Sequence, residues 1–167
     1  MLTCAKLLLI VTNAEARRRL ETTWREFVIR QPEVGAGGHP GSGGVEGPVT
    51  FSRLRVREGL GLALFIVDGG WRREYVCQAL AAEVDGYCLL VGDTPADLSA
   101  GLGLRRLLAE SRFGLVAGTV AGSEALLHAA LQLPPDTRVA SVDCDDRQSV
   151  MTLVCELLER LAAAPAA

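Results

Sequence analysis

VTFSRLRVREGLGLALFIV, residues 49–67, places two kinds of strand back to back. In residues 49–56 apolar and polar side chains alternate, the mark of a strand with one face covered and the other open to water. Residues 57–61, REGLG, supply a turn, and residues 62–67, LALFIV, form a continuous apolar run suited to a strand covered on both faces. Together they read as an antiparallel hairpin. Arg53, Arg55 and Arg57 fall on the polar side of the first strand, where Phe51 is the residue that does not fit.

What surrounds the hairpin has a different rhythm. Residues 6–11, KLLLIV, read as a buried strand, and it runs almost without a loop into a helix striped by Leu20, Trp24 and Phe27. Thr12 and Glu15 are spaced as a T-x-x-E capping box, in which hydroxyl and carboxylate each satisfy a free backbone donor at the helix start. Beyond the hairpin the pattern predicts helix 71–82, strand 86–91, helix 98–111, strand 113–116, helix 123–131, strand 138–142 and helix 147–161. Strand and helix alternate throughout, with one hairpin after the first helix, so the expected architecture is α/β: a three-layer sandwich around a mixed sheet.

Composition limits the rest. A chain of 167 residues has the size of one domain, and residues 1–167 are read as one. The net charge of −3 offers no basic field for nucleic acid. Apolar runs fall short of the ~18 residues a membrane span requires, and no signal-peptide pattern is present, so a cytoplasmic protein is expected. Residues 31–48, dense in glycine and punctuated by Pro32, Pro40 and Pro48, read as a flexible loop, because fixing so much glycine backbone is costly in entropy. Cys4, Cys77, Cys88, Cys144 and Cys155 show no C-x-x-C spacing and read mostly as small buried hydrophobes in a reducing compartment. Asp143, Asp145 and Asp146 read as a polar loop with Asp146 as a helix cap, in preference to a cation site. No metal and no cofactor is expected, and no serine sits on a nucleophile elbow.

Two segments carry a family resemblance. RVASVDCDDRQSVMTLVCELLERL, residues 138–161, resembles the last strand, base-contacting loop and final helix of the bacterial small Ras-like GTPases found in gliding-motility and multicomponent regulatory operons. LFIVDGGWRREYVCQALAAEVDGYCLLV, residues 64–91, resembles their third strand, second switch, helix and fourth strand. The resemblance implies a P-loop NTPase-like fold of Ras type, with one antiparallel hairpin.

The family's nucleotide motifs are missing. Its phosphate loop, G-x-x-x-x-G-K-[ST], converges backbone N–H groups on phosphate while a lysine reaches the terminal phosphates and a hydroxyl holds magnesium. The corresponding VTNAEARR, residues 11–18, has Thr12 but neither glycine nor lysine, with Arg17 or Arg18 near the lysine position. The only lysine in the chain is Lys6. Where D-x-x-G stands in the family, Ile66 takes the aspartate position and Gly69 the glycine, with Asp68 nearby in another register. Where N-K-x-D reads guanine, Gly118, Thr119, Val120 and Ala121 offer neither amide nor carboxylate. Three sites have lapsed together, so guanine nucleotide is not expected to bind or be hydrolysed. A phosphoacceptor receiver domain fits less well: it needs an acidic pair after the first strand, where TNAEA offers only Glu15.

What the resemblance leaves is interaction. It implies a pseudo-GTPase that binds a roadblock or longin-type protein, a true small GTPase or itself, as a homo- or hetero-dimer. A divergent GTPase with an atypical nucleotide site is the alternative. Candidate docking residues are Phe51, Arg53 and Arg55 on the hairpin and Trp71, Arg72 and Tyr75 at the second-switch equivalent, since aromatics and arginine dominate interface energetics. The four-residue spacing of Trp71 and Tyr75 equally suits the inward stripe of an ordinary helix.

Overall fold

In a computed structural model, which describes residues 3–29, 49–69, 74–109 and 113–163, six strands and five helices alternate. They are β1 (Thr3–Val11), α1 (Ala14–Ile29), β2 (Val49–Arg57), β3 (Leu60–Asp68), α2 (Glu74–Glu83) and β4 (Gly86–Val91), followed by α3 (Pro95–Leu107), β5 (Phe113–Gly118), α4 (Glu124–Ala130), β6 (Val139–Ser141) and α5 (Arg147–Ala163). The expected loop 31–48 lies outside the described residues, as do Trp71 and Arg72.

The sheet runs β2-β3-β1-β4-β5-β6. β2 is antiparallel to β3 and every other neighbouring pair is parallel. The hairpin therefore forms as its pattern predicts, closing between Arg57 and Leu60, where Gly59 takes φ +79° in the left-handed region that an L side chain resists. A register shift between Arg55 and Arg57 bulges the end of β2.

Each face of the sheet packs against its own helices. One core gathers Leu7, Leu9 and Val11 of β1 with Leu20 and Trp24 of α1 and Val150, Leu153 and Leu157 of α5. The other gathers Leu8 and Ile10 with Cys77 of α2, Leu104 of α3 and Leu127 of α4. The period of two in β1 thus feeds both layers, which is why residues 7–11 are apolar at every position rather than at alternate ones. The order of layers is that of a three-layer α/β sandwich.

Local chemistry shifts several boundaries. β1 begins at Thr3, earlier than the apolar run suggests, because its first residues still pair with Leu60 and Gly61. α3 begins at Pro95 rather than at residue 98: Thr94 accepts a hydrogen bond from the Asp97 backbone N–H at 3.1 Å, and proline in the first turn forfeits a donor that has no helical partner there.

The capping box is a correction. Asn13, not Thr12, caps α1: its Oδ1 accepts from the Ala16 backbone N–H at 2.9 Å and its carbonyl accepts from Arg17 N at 3.0 Å. Thr12 is taken by tertiary structure instead, its hydroxyl accepting from the Gly92 N–H at 3.2 Å, across from β1 to the end of β4. Glu15 is left to pair with Arg18 at 3.2 Å on the exposed face. Asp146 does cap α5, accepting from Ser149 N at 3.0 Å.

Cys77, Cys88 and Cys144 are buried, while Cys4 and Cys155 are exposed. Burial, aided by the nearby carboxylates of Asp68 and Glu74, pushes the Cys77 thiol up to about 12. Burial likewise pushes Cys144 up to about 11, against the opposing pull of Arg19. A thiol pKa raised on folding supports the native state in full below the unfolded value of ~8.5. That support is lost as pH rises towards about 11 for Cys144 and about 12 for Cys77. Stability should therefore decline through that alkaline window. At neutral pH a thiol reagent should label Cys4 and Cys155 promptly and the other three only after denaturation, which a timed labelling count checks.

Candidate functional site

In an open α/β sheet the strand order reverses at one point, and ligands favour the crevice at the carboxyl ends of the strands there. In this order the reversal lies between β1 and β4: the chain passes from β1 outward to β3 and β2 on one side and to β4, β5 and β6 on the other. The residues at that crevice are Thr12 and Asn13 after β1, Gly69 after β3, Gly92 after β4 and Asp97 in the first turn of α3.

These residues are bonded to one another. Asn13 turns its Oδ1 towards α1 as the cap and its Nδ2 outward, donating to Asp97 Oδ2 at 3.1 Å. Asp97 is only 6% exposed. Its carboxylate lies so close over Gly92 that a Cβ at that position would strike Oδ2, and glycine is the residue that leaves the space. The Gly92 N–H is bound to the Thr12 hydroxyl, and Thr12 N donates to Leu90 O at 3.0 Å. Gly69 N, which stands where the family's glycine would meet a terminal phosphate, donates to Val11 O at 2.9 Å. The backbone N–H groups of Thr12, Gly69 and Gly92 are thus bonded within the chain, and a carboxylate stands beside them.

The cations near the crevice are also committed. Arg17 lies along α1 with Nε 2.9 Å from Glu21 Oε1, a pair in which both side chains are 14% exposed, and Glu21 accepts in turn from the Thr50 hydroxyl of β2 at 2.7 Å. Arg18 is exposed and paired to Glu15. Ile66 is buried in the α1/α5 core, with no polar atom to offer a metal. Gly118 closes β5, its carbonyl accepting from Val142 N at 2.9 Å. Ala121 is exposed in the turn that leads to Ser123, whose hydroxyl donates to Val120 O at 2.7 Å. Among the described residues, no three His, Cys, Asp or Glu side chains are grouped to hold a metal ion. Asp143 and Asp146 instead bind backbone N–H groups of their own loop and of α5.

The docking candidates separate. On β2 the even positions face α1: Ser52 accepts from Trp24 Nε1 at 2.7 Å, and Leu54 packs against the α1/α5 core. The odd positions, Phe51, Arg53 and Arg55, point to the other face and are exposed. Phe51, 49% exposed, stacks on Phe65 of β3 with ring centroids 4.8 Å apart, and the Arg53 guanidinium lies 5.6 Å from the Phe51 centroid. Phe51 is thus the apolar anchor of an arginine-bearing surface. Tyr75 is 82% exposed in the first turn of α2, so it does not belong to an inward stripe.

Sequence reasoning found Thr12, Gly69 and the hairpin but missed Asn13, Gly92 and Asp97. TPAD, residues 94–97, carried a signal in its helix-start chemistry; the contact from Asn13 to Asp97 spans 84 residues and carried none. Among the described residues no helix is long and apolar enough to cross a membrane. No family model matches the chain, and no curated protein is significantly similar to it in sequence.

Proposed function

We propose that this protein is a Ras-like pseudo-GTPase: a protein-binding module that has given up guanine nucleotide. The Ras-type reading is supported by the strand order β2-β3-β1-β4-β5-β6 with β2 alone reversed, together with the two segments that resemble bacterial small GTPases. The single observation that supports the loss of nucleotide chemistry is the crevice between β1 and β4, where Asn13 is bonded to the buried Asp97 carboxylate and the N–H groups of Thr12, Gly69 and Gly92 are bonded within the chain. A polyphosphate placed there would meet the Asp97 carboxylate, and the only lysine of the chain, Lys6, lies earlier in β1. Repulsion between like charges in a poorly hydrated crevice is large.

The interaction surface is the outer face of β2, where Phe51, Arg53 and Arg55 combine apolar area with planar donors. Its partner in a cytoplasmic regulatory assembly would be a roadblock or longin-type protein, a small GTPase or a second copy. Calorimetry with GTP or GDP and magnesium tests the first half of the reading. No binding tighter than about 10 μM, ~−7 kcal/mol, is expected. Tighter binding, or guanine nucleotide copurifying with the protein, would establish instead a divergent small GTPase with an atypical site.

A further inference from the structure

Both edges of the sheet, β2 and β6, are unpaired by any described strand, and they differ in charge. β2 carries Arg53, Arg55 and Arg57 and no carboxylate. Among the described residues Arg53 and Arg55 have no ion-pair partner, whereas Arg18, Arg19, Arg138 and Arg160 each face a carboxylate within 4 Å. At the opposite edge a groove runs between β6 and α5, with lobes of about 390 and 270 Å³ that share Gln148, Thr152 and Glu156. Asp146, Glu156 and Glu159 line it with Arg138; Glu156 is already paired to Arg138 at 3.6 Å and to Arg160 at 2.9 Å, whereas among the described residues Asp146 and Glu159 have no ion-pair partner. Val142 N donates inward to Gly118 O, so in the alternating order of a strand the N–H and C=O groups of Ser141 and Val139 face the open edge.

Resting on the interaction-module reading, we infer that the partner is a second copy of this chain, joined head to tail with its β2 beside β6 and its arginines in the acidic groove. Geometry selects the orientation. Arg53 and Arg55 lie on the α2/α3/α4 face of the sheet, while the groove lies on the α5 face. Half a turn of the second copy about the axis across the sheet reverses both its faces and its strand direction. β2 then runs parallel to β6, and Arg53 and Arg55 arrive on the side of Glu156 and Glu159. The alternative of β2 pairing with β2 of another copy would set arginine against arginine, which like charges oppose. A heterologous contact of this kind leaves one free edge at each end, so it extends into a series instead of closing as a dimer.

The test uses two strand-compatible variants and sedimentation at low salt. At about 100 μM, a range suited to weak, small interfaces, the unmodified protein should form a concentration-dependent series that added salt disperses. Arg53→Thr with Arg55→Thr should weaken association about tenfold or more, as should Glu159→Lys, with the fold of each checked by circular dichroism. Mixing the two restores one productive contact, intact β2 of the Glu159→Lys copy on the intact groove of the other, and should yield a dimer that does not grow. The inference is overturned by an unmodified protein that stays monomeric, by association insensitive to Glu159, or by a mixture that fails to dimerise. Capture of an acidic peptide or of RNA by β2, in a protein that stays monomeric, likewise overturns it. None of those results touches the nucleotide-free reading, which falls only to the calorimetry.

Discussion

Trp24→Ala should cost ~3–5 kcal/mol of folding stability, the range for deleting a large buried aromatic. Trp24 is 2% exposed at the centre of the α1 stripe, with its ring centroid 5.7 Å from that of Phe27. The indole also does what alanine cannot, donating from Nε1 to the Ser52 hydroxyl at 2.7 Å. The substitution therefore removes packing and leaves Ser52 of β2 without that donor. In a chain of this size about 2–4 °C of Tm accompanies each kcal/mol, so thermal melting should show a fall of roughly 6–20 °C. Trp24→Phe separates the two contributions: most of the area returns, and a residual loss of about 1 kcal/mol belongs to the hydrogen bond. A fall below about 1 kcal/mol for Trp24→Ala would mean that α1 does not rest on β2 through this residue. On the proposed interaction reading the bond also matters to the docking surface, since it ties the inner face of β2 to α1 while Arg53 and Arg55 stand on the outer face.

The sheet and its helices were legible because burial writes periods into sequence. β2 alternates since one face meets α1 and the other meets water; β1 and β3 do not alternate since both faces are covered. The hairpin was legible for a further reason, that Gly59 supplies the backbone angle its turn demands. Helix ends were read less well. Thr12 and Asn13 can each cap a helix, and nothing local decides between them. The decision is tertiary: the end of β4 arrives beside Thr12 and takes its hydroxyl, which leaves the cap to Asn13. At α3 the apolar spacing from Leu98 outweighed Thr94 and Pro95, and with that start went Asp97.

On the proposed Ras-like reading the nucleotide site could be read only as an absence of motifs: residues 11–18 lack the glycines and lysine of a phosphate loop, which does not say what occupies the place. Asp97 explains why Gly92 has no side chain, and Asn13 explains how a carboxylate 6% exposed is satisfied. The second joins residues 84 positions apart, as the bond from Gly92 to Thr12 joins residues 80 apart, and both are made by the approach of strand ends. Buried polar groups are bonded as a rule, so an aspartate at the start of α3 asks for a donor. Which donor answers depends on the packing.

Asn13→Ala should remove both functions of the residue together and cost about 2–4 kcal/mol. The lost cap of α1 accounts for ~1 kcal/mol of this. The rest, ~1–3 kcal/mol, comes from withdrawing the amide donor from a buried Asp97 carboxylate. Asn13→Ser divides them, because serine caps a helix about as well as asparagine but is too short to replace the amide that meets Asp97. Serine should recover about 1 kcal/mol of the alanine loss and no more. A double-mutant cycle with Asp97→Ala then measures the bond itself: in the Asp97→Ala background, Asn13→Ala should cost only the cap, and the difference is the coupling. Denaturant melts of the four proteins supply every number needed. Coupling near zero would mean that the 3.1 Å contact contributes nothing and that the crevice is held shut by packing alone. A large coupling in which the Asn13→Ala, Asp97→Ala protein still binds no GTP would carry the argument further. On the proposed reading the closed crevice would then be a consequence and not the cause of absent nucleotide binding, since opening it leaves neither a lysine nor a glycine cradle behind.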